Sequence, residues 1–344
     1  MSSPLPPLPN AFLGSLVADS VAMPVHWYYD REAIDRDYGA IEGYREAKSP
    51  HPDSILWRSS YVAPNEKAEI LHDQAAYWGK RGIHYHQFLH AGENTLNQQL
   101  AVELAEFVLA RGGYDPAAWC DRYIEFMRTP GRHRDTYVEE YHRIFFTNLA
   151  RGVKPLACGG PDVHIGGLVP VPAIVAVLAG SISPVELRSV VQAHVGLTHK
   201  DAGVLAAADA LVKMLLAVAG GTPLRESILE HGSAWISKAK LRQWEDHADR
   251  IVVGRILSPA CYIPDAFPAS LFLAWRHAGD FRAGVCANAS VGGDNCHRGA
   301  VVGSLLGVAG DIPTDLVDGL AMAGRVRACF DEPRTQPIAA GGAA

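Results

Sequence analysis

The sequence has no uninterrupted apolar run of the roughly 18–20 residues that a membrane span needs, so no contact with a bilayer is expected. Its six cysteines, at 120, 158, 261, 286, 296 and 329, lack paired spacing. Reduced thiols in a cytoplasmic protein follow more simply than a disulfide framework. Basic charge is not in excess either. The 31 Lys and Arg stand against 37 Asp and Glu, a net charge of −6, which argues against a nucleic-acid partner. The opening MSSPLPPLPN places no positive charge ahead of an apolar run, so no signal peptide is expected. Nor does period-2 alternation stand out anywhere, which leaves a half-buried sheet without support.

What is present is a globular composition, 48% hydrophobic and 20% charged over 344 residues, arranged in helical segments. AFLGSLVADSVAM (11–23) is small and apolar, with Gly14 and Ala18 four apart, and reads as a close-packed helix ended by Pro24. Asp19 is its one charge, and a buried carboxylate there needs a partner, a metal or a role. HWYYD (26–30) follows, with His26 and Trp27 at the helix exit. LNQQLAVELAEFVLA (96–110) carries helical spacing, which puts Glu93, Asn94 and Thr95 in its first turn. Just before it, His84, His86 and His90 are spaced for neither one helix face nor a known metal motif. Asp135 reads as an N-cap, with Glu139 and Glu140 in the first turns of its helix. Gly pairs flank Asp162 and His164, which suggests backbone close to a ligand. A helix starting at Thr198, beside His199, would use Asp201 in a capping box.

The chain is organised around VGGDNCHRGAVVGSLLGVAG (291–310). Gly292 and Gly293 permit close backbone approach. Asp294, Asn295, Cys296, His297 and Arg298 then form a polar mouth to an otherwise apolar helix. The expected architecture is all-α, a compact orthogonal helical bundle in a single domain over residues 1–330, with a disordered tail at 331–344.

The order of these segments resembles the ADP-ribosylglycohydrolase family over roughly residues 10–312. GSLVADSVAMPVHW is similar to its first motif, GENTLNQQLAVELAE to its second, and VGGDNCHRGAVVGSLLGVAGD to its last; Asp135 and LTHKDA fall where the family carries an Asp and a Ser/Thr–His helix start. The resemblance implies an all-α hydrolase that acts on ADP-ribose linkages with two Mg2+ or Mn2+ ions held by hard oxygen ligands.

The chain departs from that ligand set. Thr–Asp–Asp of the second motif is here Gly92, Glu93, Asn94, and Thr–Asp–Thr after Asp294 is Asn295, Cys296, His297; His26 replaces a glutamate. Glu93 and Asp294 remain as metal candidates, too few for paired magnesium, so no metal or one divalent ion is expected. The catalytic candidates are Glu93, Asp135, Asp294, Cys296 and His297. Candidates for holding the substrate are Asp19, His26, Trp27, Asn94, Thr95, His164, His199, Gly292, Gly293 and Asn295. Three functions stay open. One is hydrolysis of an N- or O-ribosyl bond in an ADP-ribosylated or small nucleoside-like substrate. The others are non-catalytic binding of ADP-ribose or a nucleotide, and a Cys296–His297 enzyme on another small molecule.

Overall fold

The computed structural model describes residues 5–331. The helices that frame the site are α1 (Pro7–Ala22), α2 (Leu96–Arg111), α3 (Glu140–Ala150), α4 (Val171–Leu178), α5 (Ala202–Ala219), α6 (Ile263–Arg276), α7 (Phe281–Ser290) and α8 (Asn295–Ala309). Among the described residues there is no sheet, only isolated bridges such as Gly160 to His199. The fold is all-α, as the periodicity predicts.

The central contact is α1 against α8, and glycine makes it. A Cβ on Gly303 would stand 2.2 Å from the Gly14 carbonyl oxygen, and one on Gly14 would stand 2.3 Å from that of Gly303. The two backbones therefore touch, and no larger residue fits at either position. Every α8 residue from Asn295 to Val308 is buried, and so is α1 from Ala11 onward. The helices α4, α5, α6 and α7 pack around this pair and seal its apolar surface.

Pro7–Val25 and Ala202–Ala219 reach the length and mean hydropathy of a membrane span. The first is 89% buried inside the fold, which is what a core helix requires. The expected tail lies outside the described residues apart from Asp331, which ends a helix begun at Ala323.

Two helix starts differ from expectation. The helix expected from Thr198 begins at Ala202, and Asp201 caps it directly by accepting from the Gly203 and Val204 amides at 2.8 and 3.0 Å. Asp135 caps no helix of its own. It reaches across to α2, where it accepts the Leu96 amide at 2.8 Å, one of the free N–H groups at that helix start.

Candidate active site

Asp19 spends both carboxylate oxygens inside the fold. It accepts from the Thr95 amide at 2.9 Å, the Thr95 hydroxyl at 2.7 Å and the Asn94 amide at 2.9 Å. Asn94 also donates to the Leu16 carbonyl at 2.8 Å. This cluster ties α1 to the start of α2, and that is the partner which the buried Asp19 needs. It leaves Asp19 and Thr95 as framework, while the Asn94 side-chain oxygen stays buried without a partner among the described residues.

From α2 a hydrogen-bonded row crosses the interior. Asp135 accepts from His86 Nδ1, and His86 Nε2 faces His26 Nδ1 at 2.7 Å. His26 Nε2 reaches Asp294 Oδ1 at 2.9 Å, and His297 Nδ1 reaches the same oxygen at 2.5 Å. Three bonds link Asp135, His86, His26 and Asp294, and each needs one proton. Two neutral imidazoles supply two. The contact between the two histidines therefore needs one further proton. Burial pushes the His26 imidazolium well below its ordinary range.

The row continues from His297 into α2 and α3. Tyr123 OH donates to His142 Nδ1 at 2.5 Å, His142 Nε2 donates to Asn97 Oδ1 at 2.8 Å, and Tyr141 OH donates to the same oxygen at 2.7 Å. These donors fix the Asn97 amide so that its Nδ2 donates to His297 Nε2 at 2.6 Å. Burial works against charge on His297 while Asp294 favours it, and His297 Nδ1 donates to Asp294. Asn97 meanwhile occupies the nitrogen that would take the proton. The helix starts near residues 93 and 295 thus meet through Asn97 and His297.

On the other side of Asp294 lie His164 and Glu139. His164 Nδ1 accepts the Gly166 amide at 2.8 Å, so the ring's proton is on Nε2. That nitrogen stands 3.5 Å from Glu139 Oε2 and 3.5 Å from Asp294 Oδ2. Among the described residues neither His164 Nε2 nor Asp294 Oδ2 has a hydrogen-bond partner, although both are buried. Glu139 Oε1 lies 3.8 Å from His297 Nε2. Burial pushes the Glu139 carboxyl up to about 8. Burial would raise Asp294 too, but His297, His164 and His26 hold it well below the ordinary carboxylate range. One buried carboxyl keeps its proton at neutral pH and its neighbour does not.

Aromatic rings cover this cluster. Trp27 stacks on His26 with ring centroids 5.0 Å apart and lies 6.1 Å from His164, Tyr29 and Tyr85 and 6.2 Å from Tyr137. Tyr29 is 40% exposed and marks the outer edge. Trp27 holds a left-handed φ of 65°, costly for a bulky residue. The last motif imposes it: the Trp27 amide donates to the Gly293 carbonyl at 2.9 Å, and the Gly293 amide donates to the Tyr28 carbonyl at 2.7 Å. A Cβ on Gly292 would meet the Tyr28 carbonyl oxygen at 2.3 Å, and one on Gly293 the Pro259 carbonyl oxygen at 2.1 Å. The Gly pair is a strap for Trp27, not a cradle open to substrate.

Three other candidates sit elsewhere, and a fourth, Cys296, has its sulfur within 4.8 Å of a ring nitrogen of His26 and of His86. Glu93 turns outward to Arg134 and to the His90 amide at 2.8 Å, so it is not brought to the cluster as a catalytic group or a metal ligand. Cys296 points to the Asp19 carbonyl oxygen at 3.6 Å, and burial holds its thiol well above the ordinary range, which corrects the idea of a thiolate beside His297. Asn295 donates to the Val25 and Ala289 carbonyls at 3.2 and 3.0 Å. His199 packs on Tyr141 with ring centroids 4.4 Å apart and bonds Thr198 at 2.9 Å, behind the cluster. Sequence reasoning missed Glu139, Asn97 and Tyr141, and left His86 undecided. An acid at a helix start is favoured by the dipole alone, so Glu139 carried no distinguishing signal.

An all-α frame whose converging helix starts deliver carboxylates and imidazoles to one buried cluster is what the motif order implied. The chain belongs to the ADP-ribosylglycohydrolase family, whose profile matches residues 9–338. Among solved structures it is similar to a chain of an "ADP-ribosylglycohydrolase-related protein complex", with a TM-score of 0.59 and 21% identity over 94% of this chain and 97% of that one. At that identity the likeness shows the fold. No curated protein matches the sequence significantly. Membership suggests a glycohydrolase, and the site holds His, Asp and Glu groups near enough to one another to bind a metal ion.

Proposed function

We propose that the chain hydrolyses an N- or O-glycosidic bond to ribose in an ADP-ribosylated or smaller nucleoside-like substrate, acting on a small molecule or a modified side chain rather than on nucleic acid or membrane. The observation that carries this reading is the pair of buried carboxyls 3.5 Å to either side of His164 Nε2, one pushed up to about 8 by burial and the other held low by its histidine neighbours. Cleavage of such a bond develops oxocarbenium charge and needs a proton on the leaving group. Glu139 has the proton to give, and as a carboxylate it can then draw one from the attacking water. Asp294 supplies fixed negative charge to the sugar. His26 and His297 hold Asp294 ionised by donating to its Oδ1.

A pair of hard divalent ions does not fit the donors at the motif positions. Glu93 is turned to Arg134, Asn94 and Thr95 are bound to Asp19, and Asn295 donates to backbone carbonyls. Among the described residues Asp294 keeps the one free carboxylate oxygen there, beside only the neutral amide oxygens of Asn94 and Asn295. This supports a family member with an altered metal-ligand set, and no step is assigned to magnesium or manganese. Incubation with ADP-ribosyl-arginine, ADP-ribosyl-serine and free nucleosides, with and without chelator, tests the reading. Turnover of one of them, lost in Glu139→Gln and Asp294→Asn, is expected. Absence of turnover on all of them, with micromolar calorimetric binding of ADP-ribose, would instead favour a non-catalytic binder.

A further inference from the structure

We infer that His26, His86 and Cys296 form a buried site for one zinc-class divalent cation, separate from the Glu139–His164 side of Asp294. Their donor atoms lie within 4.8 Å of one another, and all three residues are almost fully buried, at 1%, 2% and 1% exposure. Two imidazoles and a thiol are borderline-to-soft ligands, which select zinc over magnesium.

The arrangement around the two imidazoles is what a metal site requires beyond its ligands. Each histidine is tethered through its other ring nitrogen by a carboxylate: His86 Nδ1 by Asp135, and His26 Nε2 by Asp294 at 2.9 Å. Such tethers fix ring orientation and tautomer in metal-bound histidines. They also leave His26 Nδ1 and His86 Nε2 pointing their lone pairs at each other across 2.7 Å. Only a shared proton or a cation makes that contact favourable. Around a tetrahedral zinc ion, nitrogens about 2.0–2.1 Å from the metal stand about 3.3 Å apart. The two rings therefore need to separate by only about 0.6 Å to admit it.

The hydrogen bond between His26 Nδ1 and His86 Nε2 needs one proton, and Cys296 is a thiol. Binding one divalent cation displaces both protons to solvent, and two nitrogen–metal bonds and one sulfur–metal bond form. No oxidation or reduction is involved. His164 is no ligand in this site, because its Nδ1 already accepts the Gly166 amide and its Nε2 carries the proton.

Cobalt titration of the chelator-stripped full-length protein tests the site without reference to activity. The expected result is saturation at one equivalent, a thiolate-to-cobalt absorption band in the near ultraviolet, tetrahedral bands in the visible, and release of about two protons per ion. One equivalent of zinc should displace the cobalt and bleach the bands. Cys296→Ala should lose the near-ultraviolet band; if that variant does not fold, His86→Gln read by the visible bands replaces it. No stoichiometric binding to the stripped protein, or binding without a thiolate band, or a band that survives in Cys296→Ala, would overturn the proposal.

Discussion

His164 Nε2 stands 3.5 Å from Glu139 Oε2 and 3.5 Å from Asp294 Oδ2, so a single imidazole N–H lies between a carboxyl that keeps its proton and one that has given it up. The asymmetry has a physical origin. Asp294 receives donors from His26 and His297 at 2.9 and 2.5 Å, whereas Glu139 lies 3.5 Å from His164 Nε2 and 3.8 Å from His297 Nε2 and feels chiefly its burial.

Glu139→Gln keeps the shape and removes the transferable proton. Its turnover should fall by about 10²–10⁴-fold, the range typical of general acid–base groups, with KM little changed. Steady-state kinetics on whichever panel substrate is cleaved provides the check. A kcat within threefold of wild type would remove Glu139 from the chemistry.

The same substitution should stabilise the fold at alkaline pH. Glu139 titrates at about 8 when folded against 4.5 as the ordinary value, so the folded state holds a proton that the unfolded chain releases. Stability from this group is present below pH 4.5 and is lost as pH rises through 8. Relative to wild type, Glu139→Gln should gain steadily between those limits, by on the order of 1–3 kcal/mol at pH 9. Urea unfolding at pH 5 and pH 9 measures it; an equal difference at both would contradict the buried acid.

Acid should destabilise the protein through its buried neutral histidines. Burial lowers His84 and His194 to about 3 from 6.5, so below pH 6.5 the unfolded chain binds protons that the folded one refuses. Stability present above pH 6.5 is lost as pH falls toward 3, with a slope of up to about 1.4 kcal/mol per pH unit for each histidine. His194→Gln should flatten the slope measured between pH 6.5 and 4. An unchanged slope would mean that His194 is charged in the fold.

Gly303→Ala should destabilise the molecule more than its small size suggests. The added methyl would lie 2.2 Å from the Gly14 carbonyl oxygen, and rigid backbone on both sides forces α1 and α8 apart. A loss of about 2 kcal/mol or more is expected in denaturant unfolding, at the upper end of overpacking costs. The equally small change Gly324→Ala, where a Cβ meets nothing within 4 Å among the described residues, should cost far less.

The helical frame was legible because its signals are local. Gly14, Ala18 and the glycines of 291–310 announce close packing, and Pro24 ends the first helix where expected. Asp294 and His297 were legible because a polar run at the head of an apolar helix has few structural explanations. Glu139 was not, since acids at helix starts are common for dipole reasons alone. His86 was hidden by irregular spacing: the chain turns between His84 and His90, and only the fold brings His86 to His26, sixty residues away in sequence. Asp19 illustrates the opposite error. A lone carboxylate in an apolar helix suggests a ligand, but three hydrogen bonds from Asn94 and Thr95 consume it.

The most direct test is the protonation state of the two carboxyls themselves. Infrared difference spectra across pH, compared among wild type, Glu139→Gln and Asp294→Asn, isolate each group by its carbonyl band. The account predicts a protonated carboxyl at pH 7 that titrates near pH 8 and disappears in Glu139→Gln, with Asp294 ionised throughout. A Glu139 already ionised at pH 6, or an Asp294 that carries the proton in its place, would contradict it.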